Sequence, residues 1–323
     1  MGWRWSQVQI LSPRPLNGSV GSRPAARNPG RSRWTPIRGR SVTDLGYSVA
    51  SFLVRRLPRG TIDPLLHLAS DLYVLTHPRR ARAVSRNLAW IWDEAGRPGP
   101  PPRARQTYRA FAGAVRDFLA HEPEQGASRV RLSERARAAL RTARLSGSGI
   151  VLVSGHFGPW ERALQWLAAE LGGVEALAAS HRLAAVDRFF VEQRARGGVR
   201  TLCSSRPVKA ALERLNAGAW IAALVDRPRR SPGSQGIVPI DPGPLLLARR
   251  ARALVVPGVS MIAGDGAIEI EFDRPFSLDP TAEGLDISQG IARLQEFFDA
   301  HVRAHPTQWF QWRCARSLGA PGL

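Results

Sequence analysis

Lysine is almost missing from this chain of 323 residues: Lys209 stands alone, so the other 45 of the 46 Lys+Arg residues are arginines. Cysteine is nearly as scarce. Cys203 and Cys314 are too few for a disulfide framework and supply too few thiolates for a Cys-rich zinc module. Both are expected to be inert reduced thiols in the cytosol. No uncharged apolar run approaches the about 20 residues that cross a bilayer, and no apolar stretch before a small-residue cleavage site marks a secretory signal. There is no serine in a G-x-S-x-G elbow and no HExxH helix. RRM, zinc-finger and helix-turn-helix patterns are absent too.

What is present is enough for an ordered fold. Hydrophobic residues make up 44% of the chain and charged residues 22%, which suits a buried core and not a disordered chain. The length fits one large α/β domain or two small ones. Against 46 Lys+Arg stand 26 Asp+Glu, a formal net charge of +20. Such an excess calls for an anionic partner: nucleic acid, a membrane surface or an acidic substrate. Heavy use of Arg, Ala and Gly also fits a GC-rich genome, which produces arginine without selecting it, so charge by itself argues little.

Residues 1–40 hold eight arginines and no acid, supplying +8 of the +20 and leaving +12 for residues 41–323. They show no apolar periodicity and are rich in Pro, Gly, Ser and Asn, so residues 1–41 are expected to be a disordered basic segment. Residues 6–15, SQVQILSPRP, read like the translated end of a transfer-RNA gene. A start assigned too early is therefore expected, with the true start at Val42; Met1 and Met261 have no methionine between them. The rival reading is a basic nucleic-acid arm.

A helical lead-in and then an alternation of strands and helices are predicted. Residues 45–56, LGYSVASFLVRR, form a short apolar segment ending in two arginines, either a first core helix or one lying in a membrane interface. Residues 63–92 read as helical, and the loop GRPGPPP at 96–102 must end that stretch. Tyr108, Phe111, Val115, Phe118 and Leu119 recur at helical spacing. Residues 42–130 are thus a helical, membrane-associating region. The core, 131–316, is α/β: a mixed, largely parallel sheet flanked by helices, followed by a tail, 317–323. Its strands are GIVLVS at 149–154, AWIAALV at 219–225 and residues 254–256, with a hairpin of 259–262 and 268–272 around Asp265-Gly266. Helices are expected at 160–171, 208–217 and 286–304.

Ligands of open α/β sheets sit outside the carboxyl ends of the strands. The sequence GHFGPWE, residues 155–161, follows directly on a buried strand. Gly158 permits a tight turn, and Pro159 suits the first helical position. Glu161 then falls in the first turn, where the helix dipole favours an anion. Folded back, its carboxylate would accept the Nδ1–H of His156 and leave Nε2 free as a general base. The bland alternative is a loop histidine bonded to a nearby Glu for packing. A zinc site would need a third ligand, and His121 and His181 do not stand at a suitable spacing. No metal and no cofactor are expected.

The block GIVLVSGHFGPWE resembles the H-F-G-N-W-E motif of bacterial lysophospholipid acyltransferases of the lipid A late-acyltransferase type, a group that includes phosphatidylinositol mannoside acyltransferases. Further segments are similar in the right order: RRARAVSRNL at 79–88, RARGGVRTL at 194–202, Asp226-Arg227, GPLLLA at 243–248 and HPTQWFQWR at 305–313. The resemblance covers roughly 44–314 and implies a glycerolipid acyltransferase-like fold. It implies a catalytic dyad of His156 and Glu161, with the histidine as base on an acceptor hydroxyl. Two departures stand out: Pro159 replaces the family's asparagine, and GIVPID at 236–241 replaces a phenylalanine-rich strand. The resemblance therefore implies the enzyme class, and not the acceptor or chain length.

On this reading the donor is an acyl thioester of acyl carrier protein or coenzyme A, and the acceptor a membrane glycolipid or phospholipid. Arg182, Arg194 and Arg227 are candidate phosphate contacts, since the guanidinium fork suits phosphate oxygens. Asp226 is expected either to orient one of these arginines or to end a strand. Trp309 and Trp312 are expected to be core or membrane-interface aromatics. The +12 body suits an anionic membrane surface and an acidic carrier protein. This places the protein on the cytoplasmic face of the plasma (inner) membrane, peripheral or monotopic, with no nucleic-acid partner. The rival classes are an arginine-rich nucleic-acid binder and a lipid-binding protein without catalysis.

Overall fold

The computed structural model describes residues 42–120, 130–178, 183–202, 207–226, 236–278 and 284–310. The expected disordered segment and the tail lie outside them, as do Arg182, Arg227, Trp312, Cys203, Cys314, His121 and His181.

Helices α1 (Val42–Arg56), α2 (Arg59–Thr76), α3 (Pro78–Glu94) and α4 (Ala104–Leu119) form the lead-in. The single helical stretch expected over 63–92 is divided between α2 and α3. His77 adopts φ −125°, ψ 58°, because the residue before a proline is pushed out of the helical region, and Pro78 then opens α3 at a position where its missing N–H costs nothing. Helix α2 lies on α4 through Ser70, whose Oγ bonds Tyr108 O, and through the ion pairs Asp71–Arg109 and Asp63–Arg116.

The remainder alternates β1 (Val130–Leu132), α5 (Glu134–Leu145), β2 (Ile150–Ser154), α6 (Trp160–Leu171), β3 (Val174–Ala176), α7 (Ala184–Arg196), β4 (Val199–Thr201), α8 (Pro207–Asn216), β5 (Trp220–Leu224), α9 (Gly243–Ala251), β6 (Leu254–Ile262), β7 (Ile268–Phe272) and α10 (Ile287–Ala304). A 3-10 turn, Pro306–Gln308, follows. The sheet order is β1-β7-β6-β2-β5-β3-β4. All neighbours run parallel except β6 and β7, which form the hairpin expected around Asp265-Gly266. The two strands read at 254–256 and 259–262 are one continuous strand running through Pro257. Strands β1, β3 and β4, three residues each, escaped the reading because so short a run has no periodicity to detect.

Both faces of the sheet are covered. On one, Val151, Val153, Ile221 and Val255 meet Leu215 of α8, Leu245 of α9 and Leu294, Phe298 and Val302 of α10. On the other, Ile150, Leu152, Val256 and Ile268 meet Ala139 and Ala143 of α5 and Leu167 and Ala168 of α6. Strand β2 therefore needs apolar residues at successive positions, and each such side chain contributes about 1.5–3 kcal/mol on burial. Being central and buried on both faces, it is a rigid platform for whatever follows its last residue. No helix among the described residues is long and apolar enough to cross a membrane.

Candidate active site

Strands β2 and β5 pair in register, with Ser154 opposite Leu224, so their carboxyl ends lie side by side. His156 leaves the first and Asp226 the second. Asp226 is 2% exposed, and its carboxylate is filled from three directions. Oδ2 accepts the His156 backbone N–H at 2.7 Å and the Trp309 Nε1–H at 3.0 Å, and Oδ1 lies 2.7 Å from His156 Nδ1. An ionised carboxylate only accepts, so Nδ1 must carry the proton and Nε2 presents a lone pair. Burial by itself pushes a carboxyl's pKa up. Here electrostatic attraction to the His156 ring, its side-chain and backbone hydrogen bonds and the Trp309 indole outweigh burial and hold Asp226 below its ordinary 3.8.

The close approach dictates two glycines. A Cβ on Gly155 would stand 2.4 Å from the Phe157 ring and 3.0 Å from Asp226 Cγ. Gly158 has φ +47°, and a Cβ there would meet Ser260 O at 2.3 Å. The turn thus packs against β6, and Ser260 Oγ bonds Phe157 O. Beside the imidazole stands an aromatic wall: the Trp160 ring lies edge-on to His156 at 5.2 Å, and Phe111 of α4 and Phe310 pack on Trp160.

Glu161 does fall in the first turn of α6, as expected, with Pro159 one residue outside at the N-cap. It does not hold His156. Arg194 of α7 takes both its oxygens, Nε to Oε2 at 2.9 Å and a terminal nitrogen to Oε1 at 2.5 Å, and both side chains are about one-tenth exposed. The guanidinium fork matches a carboxylate in plane, which an imidazole nitrogen cannot do. The expected His156–Glu161 contact is therefore replaced by two separate pairs, His156–Asp226 and Glu161–Arg194. The correction extends to Arg194, whose fork was expected on a phosphate and lies on Glu161 instead, while Asp226, just past the end of β5, bonds a histidine. Trp309 is core, at 3% exposed, and is also a donor to the site. The reading missed this because 83 residues separate it from Asp226; the only signal was an indole beside a motif-like glutamine.

Segment 236–241, expected to depart from a strand, runs as a buried irregular stretch. Asp299 accepts the N–H of Ile237 and of Val238, and Asp241 N–H bonds Val225 O. Among the described residues no group of three or more His, Cys, Asp or Glu is placed to hold a metal ion.

An arrangement of this kind can accept a proton from a hydroxyl or water brought to Nε2, and comparison with known proteins narrows which. The profile of the family described as bacterial lipid A biosynthesis acyltransferase matches residues 40–313. A phosphatidylinositol mannoside acyltransferase of Mycolicibacterium smegmatis is 26% identical over 286 residues, 84% of this chain and 90% of that protein. The crystal structure of the 1-acyl-sn-glycerophosphate acyltransferase PlsC of Thermotoga maritima aligns over 77% of this chain and 99% of its own, with 12% identity and a TM-score of 0.38.

Proposed function

The chain belongs to the bacterial lipid A biosynthesis acyltransferase family, and on that premise we propose that it moves a fatty acyl group from an acyl thioester of acyl carrier protein or coenzyme A to a hydroxyl of a membrane glycolipid or lysophospholipid. His156 is the general base and Asp226 its orienting carboxylate. The observation that carries this reading is the 2.7 Å contact of His156 Nδ1 with a buried, ionised Asp226, which leaves Nε2 as the basic nitrogen.

In the reaction the acceptor oxygen attacks the thioester carbonyl as Nε2 takes its proton. The new C–O bond forms, the tetrahedral oxyanion collapses, the C–S bond breaks, and the imidazolium returns the proton to the leaving thiolate. No protein nucleophile is required. Asp226 stabilises the imidazolium while it exists, as a buried carboxylate does beside any histidine base. The wall of Phe111, Trp160 and Phe310 suits an acyl chain next to the imidazole. The name of the mycobacterial relative makes mannosylated phosphatidylinositol the first acceptor to assay.

The same proposal places the protein on an anionic membrane surface, at the cytoplasmic face of the plasma membrane. Leu65, Leu68, Leu72 and Leu75 of α2 are 52–74% exposed and fall on one helical face, while Ile62 and Ser70 face the protein. On α1, Val49, Phe52 and Leu53 are also exposed, with Arg56 over the Phe52 ring. Apolar side chains clustered this way mark a contact surface, and the +12 of residues 41–323 favours anionic headgroups.

The test is transfer of a radiolabelled acyl group from acyl-coenzyme A and from acyl carrier protein into bacterial lipids that include phosphatidylinositol mannosides. His156→Ala is assayed alongside. A labelled glycolipid is expected whose formation drops about 10²–10⁴-fold in the variant. Undiminished transfer by His156→Ala would remove the mechanism, and no product from either donor would remove the reaction.

A further inference from the structure

The 3-10 turn Pro306–Gln308 and the two residues after it cross the site turn from behind and are tied to it at every step. Gly158 N–H bonds Gln308 O at 2.8 Å, and Phe310 N–H bonds His156 O at 2.9 Å. The Gln308 side chain grips β6 with both ends of its amide: Oε1 accepts Ile262 N–H at 2.8 Å and Nε2 donates to Ile262 O at 2.9 Å. Between these anchors Trp309 pairs with Phe157 across an antiparallel bridge and stacks on its ring at 6.5 Å and 20°. Phe157 in turn stacks on Phe298 of α10. The indole has little freedom, and its one polar atom ends on Asp226 Oδ2.

From this geometry we infer that Trp309 is a positioning residue for the base, fixing the plane of the Asp226 carboxylate so that Oδ1 meets His156 Nδ1. The inference rests on the reading of His156 as the base. The torsion that turns a carboxylate about its Cβ–Cγ bond is soft, so its plane is set by its donors. One donor on Oδ2, the His156 backbone N–H, comes from the turn that the carboxylate must orient and cannot fix it independently. The indole N–H comes from a segment that is also anchored on β6 through Gln308, and can. Gln308 holds that segment to β6, which makes its amide the remote support of the same arrangement.

Substitution of Trp309 by β-(3-benzothienyl)alanine, which keeps the ring outline and replaces N–H by sulfur, separates hydrogen bonding from packing. With acyl-coenzyme A as donor and bacterial lipid extract as acceptor, kcat is expected to fall about tenfold, as one hydrogen bond to a charged group warrants. KM and the thermal midpoint stay near those of the unmodified protein. Native kcat in this variant overturns the inference. Trp309→His and Trp309→Phe give a second comparison at reduced ring size: the histidine variant, which has a ring N–H, is expected to be the more active, and equality or the reverse order also overturns it. The ring protons of His156, followed by NMR in 15N-labelled protein, need no turnover. A downfield Nδ1–H resonance that broadens or moves in the benzothienyl variant supports the inference. Its persistence unchanged sinks the positioning role, whereas its normal response in a protein that transfers no acyl group sinks only the enzymatic reading.

Discussion

Two buried carboxylates stand on either side of the turn after β2, and they differ in what holds them. Asp226, at the end of β5, is held by a titratable imidazole, a backbone N–H and an indole. Glu161, at the start of α6, is held by both prongs of a guanidinium that stays charged at any working pH. A carboxylate locked to an arginine has spent its lone pairs and charge on structure. One that shares its charge with a histidine remains coupled to a proton that can come and go. The difference teaches that proximity to a histidine in sequence does not identify its partner; the chemistry of the competing donor does.

The sharpest way to break this comparison is to neutralise each carboxylate in turn. Asp226→Asn should cost about 10²–10⁴-fold in kcat/KM, the scale of general-base assistance, because the amide removes the charge that stabilises the imidazolium. Glu161→Gln should leave kcat per folded molecule within a few-fold, and a loss as deep as that of Asp226→Asn would restore Glu161 to the machinery. Its cost lies in stability instead. Removing the anion from the buried Glu161–Arg194 pair should destabilise the protein by about 3–5 kcal/mol, read from urea unfolding. If the ion pair is structural, replacing both residues together, Glu161→Leu with Arg194→Met, should recover most of that loss.

A smaller effect probes the turn between the two pairs. Gly158→Ala must place a Cβ against Ser260 O in a left-handed backbone, which should cost at least about 1–3 kcal/mol and lower activity by displacing His156. A midpoint equal to that of the parent would show that the turn can relax. Least in magnitude is a pH effect. Asp226 is held below its ordinary value of 3.8, so its contribution to stability is fully present above that value and lost as pH falls through its lower native value. The unfolding free-energy difference between the parent and Asp226→Asn should therefore shrink on acidification from neutrality to below about pH 4. A difference that grows on acidification would mean that the carboxyl is not held ionised.

Reading the sequence went furthest where information is local. The apolar run of β2, the glycine turn, the start of α6 and the Asp265-Gly266 hairpin follow from side-chain pattern and turn chemistry within a few residues. The place of His156 just beyond a strand end was legible for the same reason. The helix break at His77-Pro78 was open to the same reasoning, and periodicity alone obscured it. Beyond this the signals fade, since a strand of three residues such as β3 has no period and a lone aspartate after a strand does not announce its partner.

By itself, then, the sequence determined that an α/β sheet with a helical lead-in would form, that a histidine would stand at a strand end, and that no disulfide framework would hold it. Only the tertiary structure decided that this histidine answers to Asp226 and that Glu161 answers to Arg194. Register explains it: β2 and β5 are paired in parallel though 70 residues separate His156 from Asp226. The contact is set by which strands lie side by side and by a planar fork outcompeting an imidazole for the nearer carboxylate, and neither is written in the spacing of one motif.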